Sequence, residues 1–114
     1  MVVPMDSTML DLEQMRASAG AAARLLKAMA NEHRLLVLCH LLEGERSVGQ
    51  LNAELDLSQS ALSQHLAVLR EDELVATRRE SQTIYYRVAS DAVAAVLAAL
   101  HGIYCAAPAS RPRA

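Results

Sequence analysis

There is no tryptophan and no phenylalanine in this chain, and tyrosine occurs only three times. A core without large rings must be aliphatic, drawn from leucine, alanine and valine. Platforms on which single-stranded bases stack are excluded as a main device by the same shortage. An excess of basic charge is lacking too. The 11 Lys and Arg are outnumbered by 13 Asp and Glu, for a formal net charge of −2, where nucleic-acid binders are often strongly basic. No basic, apolar, small-residue leader opens the sequence, and the longest apolar run, Ala92 to Leu100, is far too short to span a bilayer. The expected location is the cytoplasm, with no membrane partner, where the two cysteines start reduced. Glycine-rich phosphate loops, nucleophile elbows and paired-carboxylate motifs are missing. Ser63 and His65 on one helix make no catalytic triad, so neither an enzyme nor a cofactor is expected.

What is present is ample for one domain: 114 residues, 53% of them hydrophobic. The expected organisation is a flexible N-terminus at 1–6, a single domain over 7–105 and a disordered tail at 106–114 that carries two Pro and two Arg. The most informative stretch runs from Leu57 to Arg70. Ser58 is placed as an N-cap, and Leu62, Leu66 and Leu69 recur at helical spacing as one apolar stripe. The opposite stripe of Ser60, Ser63, Gln64 and Ala67 is small and polar. An ordinary solvated helix would carry Lys and Glu pairs there, whereas small hydrogen-bonding residues suit a helix that enters a DNA major groove.

Other elements follow in order. Ser7 to Met29 reads as a long helix with an apolar stripe of Leu12, Met15, Ala19, Ala23 and Leu26. Asn31 caps a second helix, Glu32 to Glu43, with Leu35, Leu38, Cys39 and Leu42 on its apolar stripe and Gly44 as a left-handed C-terminal residue. Ser47-Val-Gly-Gln50 fits a capping box that opens a short helix with Leu51 and Leu55 inward. A short helix, a tight turn and a helix with a polar face form a helix-turn-helix. Leu74–Arg79 and Thr83–Val88 then read as a β-hairpin, or wing, whose Arg78, Arg79 and Arg87 make a local basic patch. A last helix, Ser90 to Cys105, is apolar almost all round, which a chain this small can cover best with a second copy of itself. The fold class is mainly α with a small β-hairpin: a winged helix-turn-helix, homodimeric through its N- and C-terminal helices.

The segments Leu26-Lys-Ala-Met-Ala-Asn-Glu-His-Arg-Leu35, Ser47-Val-Gly-Gln-Leu51, Ser58-Gln-Ser-Ala-Leu-Ser-Gln-His-Leu66 and Leu74-Val-x-x-Arg-Arg79 resemble the ArsR family of winged-helix repressors over about residues 20 to 105. The resemblance implies a homodimer that holds double-stranded operator DNA until an inducer loosens it. It places Ser58, Gln59, Ser60, Ser63, Gln64 and His65 at or beside the DNA, assisted by Arg78, Arg79 and Gln82 of the wing. For His65 a role in orienting the helix stays open beside a base contact. Glu73 and Ser81 stand where the family often has Gly, so either those turns are remodelled or left-handed strain is tolerated.

Many members of that family sense metals, but the ligand sets they use are missing here. Glu45 to Leu51 contains no Cys, Asp91 is followed by Val93 rather than His, and position 104 is Tyr. The placement of Cys39 and Cys105 instead resembles the branch that senses reactive sulfur or redox state, of the BigR, SqrR and HlyU type. There, two thiols react with persulfides, polysulfides or oxidants and become bridged. Alternatives remain: Cys39 as mere packing, a metal-responsive repressor with zinc on His101, Cys105 and Cys39, or a helical module that docks on protein rather than DNA.

Overall fold

Side-chain caps decide where the helices start. In the computed structural model, which describes residues 11–105, Asp11 accepts from the N–H groups of Glu13 and Gln14 and opens α1 (Leu12–Met29). Asn31 does the same for His33 and Arg34 at the head of α2 (Glu32–Glu43). Ser47 and Gln50 form both halves of the capping box on α3 (Val48–Glu54). Ser58 accepts from Ala61 N–H on α4 (Gln59–Glu71), and Ser90 from Val93 N–H on α5 (Asp91–Tyr104). Each cap satisfies backbone donors that have no partner within the helix, worth about 1 kcal/mol apiece. The expected flexible residues 1–6, the expected helical residues 7–10 and the expected disordered tail 106–114 lie outside the described residues.

The expected hairpin forms as β2 (Val75–Glu80) and β3 (Thr83–Val88), with Glu80 inside the strand opposite Thr83 rather than in the turn, and Val75 opposite Val88. It gains a strand the periodicity does not reveal. Arg46 and Ser47 form β1 and pair with Tyr86 and Tyr85, so the sheet is three-stranded in the order β1-β3-β2. That pairing fixes the wing to the entrance of α3.

The core is aliphatic, as the missing rings require. Leu62, Leu66 and Leu69 of α4 are fully buried against Val37, Leu38 and Leu41 of α2, Leu51 of α3, and Val93 and Leu97 of α5. On α1 the stripe of Leu12, Met15, Ala19, Ala23 and Leu26 faces outward, and the inward side is Leu25, Ala28 and Met29. The helix is so rich in Ala that both faces read as apolar. On α2, Cys39 and Leu42 are exposed, because Val37 and Leu41 take the inward places. Gly44 is not left-handed: its φ of 154° and ψ of 167° lie in a region open essentially to Gly alone.

The two residues that stand in place of Gly tolerate strain rather than remodel their turns. Glu73 has φ 63° and Ser81 has φ 60°. At Glu73 the conformation closes α4 with a Schellman motif: Glu73 N–H donates to Arg70 C=O and Leu74 N–H to Leu69 C=O, each at 2.9 Å. Leu74 is thereby turned into the core. A left-handed non-Gly residue costs about 1–2 kcal/mol, partly offset by the greater unfolded freedom of Gly. Glu73→Gly should therefore raise stability by about 0.5–1 kcal/mol and the melting temperature by a few degrees. Thermal denaturation checks this, and an unchanged or lower melting temperature refutes it.

Candidate nucleic-acid interface

The inward pull of Leu62, Leu66 and Leu69 determines what α4 shows to solvent. Gln59, Ser60, Ser63, Gln64, Ala67 and Arg70 are all exposed on one contiguous face. Ser58 is exposed at its head, with its Oγ accepting from Ala61 N–H at 3.1 Å as a cap. The turn from α3 into α4 is pinned by Asn52, whose Nδ2 donates to Leu57 C=O at 2.7 Å. Ser63, Ala67, Arg70 and Glu71 also line an open cleft closed on its far side by Tyr86 of β3, so helix and wing flank a common channel. Arg70 was not among the expected contacts, although its spacing from Ser63 and Ala67 places it on their stripe.

The wing residues divide. Arg79, Gln82 and Arg87 are exposed. Arg78 is engaged: its Nε donates to Glu45 Oε2 at 2.8 Å, its Nη1 to Glu80 Oε1 at 2.9 Å, and its guanidinium lies 4.6 Å from the centre of the Tyr85 ring. Both carboxylates raise its pKa, Glu80 foremost. Arg78 thus ties β2 to the approach of β1, and its charge is largely answered within the chain.

His65 points away from the polar face. It is half-buried, its Nδ1 lies 3.4 Å from Arg34 Nη1, and its ring centre is 5.7 Å from that of His33. Burial, then the Arg34 charge, then His33 lower its pKa below the ordinary 6.5. Both contacts are made within the chain, to residues of α2.

Cys39 and Cys105 are exposed free thiols, not in contact with each other. They sit on α2 and at the end of α5, which pack together. Burial pushes the Cys39 thiol up, and the charges of Cys105 and then Glu43 add to that.

Residues 31–77 match the family model described as "Bacterial regulatory protein, arsR family". The chain is also 54% identical over 98 residues to the transcriptional activator HlyU of Vibrio cholerae, a match covering 86% of this chain and 91% of that protein. The chain belongs to the ArsR family. It is 47% identical over 103 residues to the biofilm growth-associated repressor of Agrobacterium fabrum, covering 90% of this chain and 88% of that protein. The solved structure of reduced HlyU from Vibrio cholerae superposes with a TM-score of 0.76 at 55% identity, covering 82% of this chain and 98% of that one. As an ArsR-family protein with such relatives, the chain is a DNA-binding transcriptional regulator with a winged helix-turn-helix fold, and not an enzyme. Among the described residues, no helix is long and apolar enough to cross a membrane.

Glu45 holds part of the wing's positive charge in check. Glu45→Gln should leave Arg78 with one carboxylate, strengthen binding to a random-sequence duplex at low salt, and steepen the salt dependence by up to about one counterion. Fluorescence anisotropy over a salt series measures both, and an unaltered affinity and slope would exclude this role for Glu45.

Proposed function

We propose that the chain is a cytoplasmic homodimeric repressor whose hold on operator DNA is released when Cys39 and Cys105 react with a persulfide, a polysulfide or another oxidant. The observation that carries the reading is the pair of exposed thiols on the packed helices α2 and α5. A disulfide requires Cα atoms about 4.4–6.8 Å apart. Closure therefore brings α2 and α5 together, or inserted sulfur atoms span the gap. With peroxide, one thiolate becomes a sulfenic acid, and the second thiol condenses with it, releasing water. With a persulfide, one thiolate takes the outer sulfur and releases a thiol, after which the other thiolate displaces hydrosulfide. Coupling of about 1–3 kcal/mol would change operator affinity 5–150-fold.

Ser60, Ser63 and Gln64 read base edges in this proposal. Ser58 and Gln59 lie at the helix N-terminus near phosphate, and Arg79 and Gln82 contact the backbone from the wing. Arg78 contributes through the position of the wing. Dimerisation is supported by the exposed Leu12, Met15 and Leu26 on α1 and Ile103 on α5, which are 71%, 50%, 54% and 55% accessible. The zinc alternative loses support because, among the described residues, no three His, Cys, Asp or Glu side chains come together. The protein-docking alternative loses it to the relatives, which are regulators of transcription.

Operator binding tests the reading, using DNA from upstream of the chain's own gene and protein before and after persulfide or peroxide treatment, with intact mass recorded. Loss of affinity together with an intramolecular bridge, absent in Cys39→Ser and Cys105→Ser, is expected. Tight binding that ignores oxidation would sink the thiol switch while leaving the repressor. A second outcome follows from the raised Cys39 thiol. In Cys105→Ser one of the charges that raise it is gone, so Cys39 should alkylate faster with iodoacetamide than in wild type at a pH of about 8.5. Equal rates would show that the two thiols are electrostatically independent.

A further inference from the structure

We propose that Arg34 is a positioning residue that couples the end of α1 to the recognition helix α4, acting through the unprotonated Nδ1 of His65. Arg34 stands in the first turn of α2, yet its guanidinium reaches two other helices, α1 and α4. Nε donates to Ala28 C=O at 2.6 Å and Nη2 to Lys27 C=O at 3.4 Å, oxygens at the C-terminal end of α1. Nη1 lies 3.4 Å from His65 Nδ1 on α4. A cation at a helix C-terminus is favoured by the helix dipole as well as by the hydrogen bonds. The planar fork of Arg delivers donors in several directions at once, which the point charge of Lys does not.

His65 can answer Arg34 only as an acceptor. With its proton on Nε2 the ring offers Nδ1 a lone pair; with both nitrogens protonated it faces a fixed cation with a second one. Among the described residues the charges acting on His65 are those of Arg34 and His33 on α2, and both disfavour its protonated form. From α1 come the backbone oxygens that Arg34 binds, and α3 and β2, which also pack on α4, add no charge that bears on the ring. A histidine whose pKa is depressed on folding supplies stabilisation that is present above about 6.5 and lost as the pH falls through the depressed value. Gln64 and Ser63 lie one and two residues before His65, so a shift of this side of α4 moves the polar face directly.

The inference rests on the DNA-binding reading, and the test separates the two. The anisotropy of a labelled duplex from upstream of the gene is measured between pH 8 and 5.5 for wild type, His65→Asn, Arg34→Lys, His65→Leu and the Arg34→Lys/His65→Leu double variant. Failure of wild type to prefer this duplex over random sequence at pH 8 would refute the DNA reading itself. Given that preference, specific binding by wild type should fall at least about fivefold towards acid pH. General electrostatics predict the opposite, because the whole protein becomes more positive. His65→Asn, which places a non-titrating oxygen near the site of Nδ1, should flatten the profile. Arg34→Lys and His65→Leu should each weaken specific binding at pH 8 without a matching loss for random DNA, and their effects should not add in the double variant. A His65→Asn profile as steep as wild type, or additive effects of the two single changes, would overturn the assignment. The Asn profile needs no Arg34 variant, so it decides the matter even if Arg34→Lys does not fold.

Discussion

Three leucines on one side of α4 hold the rest of the structure in place. Leu62, Leu66 and Leu69 have essentially no exposed surface, and truncating a buried leucine of this kind costs about 2–5 kcal/mol. Because they are fixed inward, Ser60, Ser63 and Gln64 are fixed outward. The polar face is thus a consequence of core packing rather than of any interaction of its own. α4 packs against α1, α2, α3 and β2, so this helix is the centre of the core and not an appendage to it. A reading head built on such a helix keeps its rotation at little entropic cost, as a base-reading surface requires.

Charge is organised locally in a chain that is acidic as a whole. The net charge of −2 conceals a wing with three Arg, and the wing in turn holds one of them back. Arg78 is answered by Glu45 and Glu80, while Arg79 and Arg87 stand exposed. Ion pairs between exposed groups contribute little to stability. Their greater effect here is geometric, since Glu45 precedes β1 and Arg78 lies mid-strand in β2, so the pair bridges the edge strand of the sheet to the strand beyond its centre. An overall charge count cannot distinguish an arginine free for phosphate from one held by the fold.

Much of this was legible in the sequence, and the failures have physical causes. The caps at Asn31, Ser47 and Ser58, the stripe on α4 and the presence of the hairpin follow from local rules, because each is decided by residues a few positions apart. β1 is not local: two residues become a strand only because β3 passes beside them. Periodicity traces the α1 stripe but cannot say whether it meets its own chain or a second copy, because an Ala-rich helix is apolar all round. Cys39 shares the apolar stripe read for α2 and is nevertheless exposed, because Val37 and Leu41 take the inward places. Arg34 resembles any charged residue in a solvated first turn, and only the approach of α1 and α4 gives it three partners.

The proposed thiol switch and the proposed positioning contact meet on one element. α2 packs against α1, α4, α5 and β3, and it carries Arg34 at one end and Cys39 a turn and a half further on. At about 1.5 Å per residue these positions are separated by under 10 Å of stiff helix. A bridge that draws Cys39 towards the end of α5 acts on the rigid body that sets Arg34 against His65. Close-packed interiors do not deform continuously, and a tilted helix repacks into a discrete alternative. The 3.4 Å contact between Arg34 and His65 is long for a hydrogen bond, and it is polar where the surrounding core is aliphatic. It can break at smaller cost than any of the leucine contacts beside it. In the proposed switch, a sensing event on α2 would reach α4 most easily through Arg34, with the leucine stripe left intact as the pivot.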